Sequence, residues 1–307
     1  MADFGGIGIA DCGAMGLPMA RRLFAARFDV WGYHVKILDE MGDFAPRMIE
    51  NPREFAAKCG IVISVVRDAK QTLDLCFDDH ALLGQALFGG RDGGGAAAGG
   101  TGGPASSAGP GQTAGATGGR GRPHTFITCS NLSPRFVNKL DKSLPDGMTF
   151  LDAPMSGAPY RAENGTLSFM VGGRDADVQR LMPLFDAMGD PVHHLGPTGA
   201  GMTCKVVNNF VALTAVVAVR KALRSAQALW LDRRRLLEVM RVYSGATWYG
   251  DHMDDISWAR EGYDPGNTIG ILEKDLLSYL DAAPGGADDF EDAILEELRR
   301  MEALDEF

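Results

Sequence analysis

The chain has 307 residues, enough for two domains that each bury a core. Its 45 % hydrophobic and 23 % charged content is ordinary for a globular protein. The net charge of −10 argues against nucleic acid as the main partner, because a phosphate-binding face needs a basic excess.

Residues 1–88 alternate short apolar runs with helical stretches: Ile7–Ala10 reads as a strand, Met15–Phe28 as a helix, Val30–Tyr33 as a strand and Ile61–Val66 as a buried strand. This βαβ rhythm predicts a parallel sheet covered by helices. Residues 89–122 break it, since 15 of these 34 positions are glycine. With no apolar side chains to offset ordering entropy, the segment reads as a disordered surface insertion without chemistry. Phe126–Cys129 resumes as a strand that leads into SNLSP, where Ser133 with Pro134 starts a helix. Phe150–Ala153, Leu167–Val171 and Val192–Leu195 read as further strands, with a helix over Asp175–Met188. Beyond Gly201 every segment is helix-like: Asp232–Tyr243, Thr268–Leu280 and the acidic Asp288–Leu304 follow one another, so a domain boundary is expected near Pro197.

The start, MADFGGIGIA, lacks a basic region followed by an apolar core and does not read as a signal peptide. The longest apolar run, near Phe210–Val219, is too short to span a bilayer, so no membrane partner is expected. Five scattered cysteines without CxxC spacing (Cys12, Cys59, Cys76, Cys129, Cys204) read as reduced thiols of a cytoplasmic protein. No His/Cys/carboxylate cluster offers a metal site. His193 and His194 fall in a strand and read as structural.

Three segments carry candidate chemistry. Strand IGIA followed by DCGAMGLPMARRL matches the place of a dinucleotide-binding G-x-G-x-x-G turn, where backbone N–H groups meet a diphosphate at a helix start. Gly13 and Gly16 fill the second and third glycine positions, and Asp11 occupies the first. The acid expected for the ribose hydroxyls, about 21 residues after Gly13, is replaced by His34, with Lys36 close behind. A protonated His34 with Lys36 favours a phosphate; a solvated loop is the equal reading. In LDAPMSGAPYRAENGTLSFMVGG (151–173), Ser156-Gly157 ends a strand and offers N–H groups and a hydroxyl to a carboxylate; a plain turn has the same composition. In GPTGAGMTCKVVNNF (196–210), glycines lead into a long apolar helix that carries Lys205 and Asn209 at i and i+4, on one face. A lysine there loses solvation and its pKa falls toward the range of proton transfer, unless it snorkels to solvent. Cys204 has no histidine placed to activate it. LEKDL (272–276) by itself reads as an exposed charged pair opened by Lys274.

Together, in order and spacing, GAMGLPMARRL, ISVVRDA, CSNLSP, the 152–173 run, GPTGAGMTCKVVNN and KDL resemble the β-hydroxyacid dehydrogenase family, which includes 3-hydroxyisobutyrate, tartronate semialdehyde and threonate-type dehydrogenases. The resemblance covers nearly the whole chain outside 89–122 and the C-terminal end. It implies an α/β Rossmann-type N-terminal domain (1–197) and an all-α C-terminal substrate and dimerisation domain (198–307), joined by a long interdomain helix starting near Gly199. NAD or NADP is implied over Asp11, Cys12, Gly13, Ala14, Met15 and Gly16, with His34, Val66, Asn131 and Lys274 as further contacts. Lys205 matches the catalytic lysine, Ser156 and Gly157 the carboxylate cradle, and Asn209 the amide beside the lysine. The chain departs from the family at Asp11, at Arg67 (usually proline), at Asn131 (usually threonine), at Ala158 (usually glycine) and in a shortened C-terminal end.

The expected function is hydride transfer between NAD(P) and a small 3-hydroxy acid, in a homodimer or homotetramer. Lys205 serves as base, Ser156 and Gly157 hold the carboxylate, and Asn209 orients the lysine or the substrate oxygen. The alternatives are a degenerate NAD(P)-binding member without dehydrogenase activity, which Asp11 and His34 favour, and an imine reductase-like enzyme, which Lys205 opposes.

Overall fold

Apolar side chains alternate along the first strands, and this sends them to two different cores. Ile7 and Ile9 of β1 (Gly6–Ala10) and Ile61 and Ile63 of β3 (Cys59–Ser64) lie in one core, whereas Ala10 and Val62 lie in the other. A computed structural model describes residues 4–33, 39–77, 82–83 and 123–307. His34 and the 89–122 segment therefore lie outside the described residues.

The remaining strands are β2 (Val30–Tyr33), β4 (Thr125–Thr128), β5 (Thr149–Asp152), β6 (Met155–Ser156), β7 (Leu167–Gly172) and β8 (Gly189–Gly196). Helices α1 (Gly16–Ala25), α2 (Pro52–Lys58), α3 (Ala69–Cys76), α4 (Pro134–Ser143), α5 (Pro159–Asn164) and α6 (Asp175–Met188) connect them. The sheet order among the described residues is β2-β1-β3-β4-β5-β7-β6, with β8 also on β7. Strands β2, β1, β3, β4 and β5 pair in parallel, as the βαβ rhythm of residues 1–88 predicts for the first three. β7 instead runs antiparallel to β5 and β6, and β8 runs parallel to β7. Only residues 157–166 separate β6 from β7, and a parallel crossover needs a dozen or more.

One core sets α1 and α6 against the sheet through Met19, Leu23, Leu181 and Phe185; the other sets α2, α3 and α4 against it through Phe55, Leu75 and Val137. Each such side chain, fully buried, contributes about 1.5–3 kcal/mol. The short helices α2, α3 and α5 are too brief to show a period in the sequence. The Ser133 hydroxyl accepts from Phe136 N–H at 3.1 Å and starts α4, with Pro134 in its first turn.

Beyond β8 the described chain is helical: α7 (Ala200–Ala228), α8 (Arg233–Val242), α9 (Trp248–Asp251), α10 (Thr268–Ala282) and α11 (Asp289–Arg299). These pack around a third core that includes Leu213, Val216, Leu223, Leu276 and Leu298. α7 is 29 residues, longer than the Phe210–Val219 run, and passes a test of length and composition for crossing a membrane. Here it lies instead against β7, α9 and α10. Arg220, 2 % exposed, interrupts its apolar face and donates to the carbonyls of Ala259 (2.7 Å), Glu261 (3.0 Å) and Glu302.

Candidate active site

β1 delivers the chain into the Asp11–Met15 turn, and α1 starts at Gly16. Asp11 takes φ 72°, the left-handed region that suits glycine, and its N–H donates to Tyr33 O at 2.9 Å. A Cβ on Gly16 would sit 2.0 Å from Asp11 O, so the third glycine is required by the close approach of helix and turn. No side chain caps α1 and no acid stands in its first turn, so its leading N–H groups suit a diphosphate. The Asp11 carboxylate lies above this turn: a Cβ built on Gly13 would be 3.4 Å from Oδ1. Cys12 points into the core, and burial pushes its thiol up to about 12, with the Asp11 charge adding to the shift. It therefore offers only backbone. A cavity of about 630 Å³ opens here, lined by Cys12, Gly13, Ala14, Leu17, Pro18, Arg21 and Glu163. Val66 is buried just beyond β3.

The start of α7 is anchored from β5. Asp152 is fully buried, and its two carboxylate oxygens accept from Gly199 N–H and Met202 N–H, each at 2.6 Å. Lys205 follows within one turn of Met202 and is half-buried. Burial pulls its ammonium below the ordinary lysine value, against the opposing pull of the Asp275 and Cys204 charges. One turn on, Asn209 Nδ2 donates to Asp275 Oδ2 at 2.7 Å, and Asn131 Nδ2 donates to Asp275 Oδ1. Asp275 is buried, which pushes its carboxyl up; Lys205, Lys274, Asn131 and Asn209 act in the opposite direction. Lys274 donates to Arg67 O in the loop after β3. Asp275 thus draws α7, α10 and the turn after β4 together.

Asp275 is the residue that the sequence reading overlooked. Its signal was position: Ile269, Leu272 and Leu276 face the third core, and Asp275 shares their stripe on α10. An acid on an apolar stripe, next to a lysine, invites a buried partner.

Ser156 ends β6, and Gly157 follows it. Ser156 pairs with Ser168 across β6 and β7, and Gly157 takes φ 141° beneath Leu167 and Arg161. Among the described residues no hydrogen bond joins Ser156 or Gly157 to Lys205 or Asn209. The side chains gathered around Asp275 are Asn131, Lys205, Asn209 and Lys274, whereas Ser156 sits on the β6–β7 pair and the glycine turn precedes α1.

A dinucleotide fits these residues in two respects. The start of α1 is uncapped and shaped by Gly16, and Ser130 Oγ and Asn131 Oδ1, after β4, are buried without a hydrogen-bond partner. Asp11 is the misfit in charge.

Residues 3–94 and 111–196 match the family described as the NAD binding domain of 6-phosphogluconate dehydrogenase, and residues 199–287 match the NAD-binding region of NADP-dependent 3-hydroxyisobutyrate dehydrogenase. An NAD-dependent L-serine dehydrogenase of Pseudomonas aeruginosa is 27 % identical over 296 residues, covering 92 % of this chain and 86 % of the relative. A 2-hydroxy-3-oxopropionate reductase of Escherichia coli is 26 % identical over 283 residues, covering 90 % and 84 %. The fold is that of Mycobacterium tuberculosis 3-hydroxyisobutyrate dehydrogenase solved with L-serine, at TM-score 0.70 and 24 % identity over 95 % of this chain and 92 % of that one. An imine reductase from Myxococcus stipitatus shares it at TM-score 0.60 and 12 % identity, over 96 % and 92 %.

Proposed function

Since the chain belongs to the β-hydroxyacid dehydrogenase family and is an NAD(P)-dependent hydroxyacid dehydrogenase, we propose that its substrate is a small 3-hydroxy acid and that Lys205 is the general base. NAD(P), when bound, supplies the hydride acceptor or donor. The backbone of Asp11 to Gly16 would hold its diphosphate, Lys274 would lie near the nicotinamide, and Val66, Asn131 and His34 would be further contacts. Ser156 and the Gly157 backbone hold the substrate carboxylate. Lys205, as a neutral amine, takes the hydroxyl proton as the C–H bond breaks, and in reduction it returns that proton to the alkoxide. Asn209 is held by Asp275, which fixes its amide one turn after Lys205. Residues 1–197 then serve the cofactor, and 198–307 serve substrate and subunit contacts. Four of the five free cysteines are buried thiols, which suits a reducing cytoplasm.

The observation that carries the reading is Lys205 itself, half-buried on a helix anchored by Asp152, with its proton affinity lowered by burial. Lys205→Ala is expected to lower kcat about 100-fold or more with little change in cofactor affinity, the scale of a lost general base. In the parent, oxidation requires the deprotonated amine, so kcat/KM rises with pH and levels above a pKa below the ordinary lysine value; the variant loses that limb. Near-parental kcat in Lys205→Ala would overturn the mechanism.

A further inference from the structure

Arg161 does more than extend α5. A Cβ built on Gly157 would lie 3.1 Å from Arg161 Cβ and 3.2 Å from its Cδ, so the arginine stem folds back over the glycine. Its guanidinium continues to β7, where Nη2 donates to Ser168 Oγ at 3.5 Å. Ser168 is the direct cross-strand partner of Ser156. Directly opposed residues of an antiparallel pair project to the same side of the sheet, with Cβ atoms about 4.5–5.5 Å apart. The preceding pair, Met155 with Phe169, faces the opposite side, where Phe169 is fully buried. The Arg161 guanidinium and the Ser156 hydroxyl therefore share one face, beside the Gly157 backbone. Among the described residues Arg161 has no carboxylate partner; its side chain bonds only the serine hydroxyl.

A guanidinium with unengaged donors next to a hydroxyl and a backbone turn is suited to a carboxylate, which it can meet with two parallel N–H bonds. An ammonium on the carbon next to that carboxylate has the same sign as the guanidinium and offsets the attraction. We propose that Arg161 is a specificity-determining residue: it pairs with the substrate carboxylate at Ser156-Gly157 and selects 3-hydroxy acids without an α-ammonium group over 3-hydroxy-2-amino acids. This rests on reading Ser156-Gly157 as the carboxylate cradle.

The test uses two acids with the same skeleton, 3-hydroxypropionate and L-serine. Calorimetry on the full chain, saturated with the reduced dinucleotide so that the acid cannot be oxidised, gives both affinities for the parent, Arg161→Gln, Arg161→Lys and Ser156→Ala. The parent should bind 3-hydroxypropionate about tenfold tighter than L-serine, a difference of about 1.4 kcal/mol. Arg161→Gln should weaken 3-hydroxypropionate about tenfold and bring the two acids level, whereas Arg161→Lys should retain part of the preference. If Ser156→Ala weakens 3-hydroxypropionate and Arg161→Gln does not, the cradle stands and the proposal falls. Equal or tighter binding of L-serine by the parent also overturns it. If neither Ser156→Ala nor Arg161→Gln changes the affinity, or the parent binds neither acid, the cradle and the proposal fall together.

Discussion

Asp11 combines a conformational cost with an electrostatic one. Its φ of 72° is a conformation that glycine adopts freely and that aspartate tolerates better than most residues. Its carboxylate overhangs Gly13, where the start of α1 presents N–H groups to a diphosphate. Two negative groups a few ångströms apart near a protein surface repel by a few kcal/mol, depending on solvent access. Asp11→Gly is therefore expected to tighten NAD(P) about tenfold or more, equivalent to about 1.4 kcal/mol. Calorimetric titration of both proteins checks this, and equal, tight affinities would show that the carboxylate lies clear of the diphosphate. Asp11 was visible in the sequence because a local motif defines what should stand there. Asp275 was not, because its two amide partners are 66 and 144 residues away, and no window on the sequence contains them.

At the scale of elements, α7 matters most, and its geometry depends on a residue of another strand. Asp152 accepts two N–H groups that the helix start cannot satisfy internally. Asp152→Asn replaces one acceptor with a donor facing an N–H, which should destabilise the protein by about 1–3 kcal/mol. It should also lower kcat, because Lys205 loses its fixed approach, while NAD(P) affinity at the α1 turn stays within about twofold. Thermal melting and cofactor titration on the same variant separate these effects, and parental stability with parental kcat would refute the anchoring role. The strands β1 to β5 were legible from apolar runs, α4 from its Ser133-Pro134 start, and α6 as the helical stretch between two strands. The reversal at β7 was not, because strand direction follows from the length of the 157–166 connection and its pairing rather than from the residues of β7. The two-residue β6 is too short to leave any pattern.

For the whole molecule, a few long-range polar links between the sheet and the helices add to the apolar packing. Asp152 holds α7, Asp275 bonds Asn131 after β4, and Lys274 reaches Arg67 after β3. The far end of the helical region presents a different surface. Trp230 is 97 % exposed, and Leu229, Leu231, Val242 and Tyr243 are exposed close by in sequence. Exposed apolar side chains of this size, where they lie together on a surface, mark an interaction surface. A second copy of the chain is the expected occupant, in keeping with the homodimer or homotetramer that the family resemblance implies. Sedimentation should show a dimer for the parent and a concentration-dependent shift to monomer for Trp230→Glu, with the fold retained. An unshifted dimer in the variant would locate the contact elsewhere.

The double hold of Asp152 on Gly199 and Met202 also sets the rotational phase of α7. An α-helix advances about 100° per residue, so the azimuth of every side chain on it is counted from the point at which it is clamped. Lys205 and Asn209 lie downstream of that clamp and Asp152 lies on the sheet, so the azimuth of the lysine is referenced to β5. One residue added between Met202 and Lys205 would swing the ammonium by about a quarter turn without changing the composition of the helix. Ahead of the clamp the chain is held by backbone instead: Gly173 N–H donates to Gly196 O at 2.9 Å and Ala200 N–H to Pro197 O at 3.0 Å. The turn ahead of Gly199 thus fixes where the helix begins, and beyond Gly199 each residue counts as an angle.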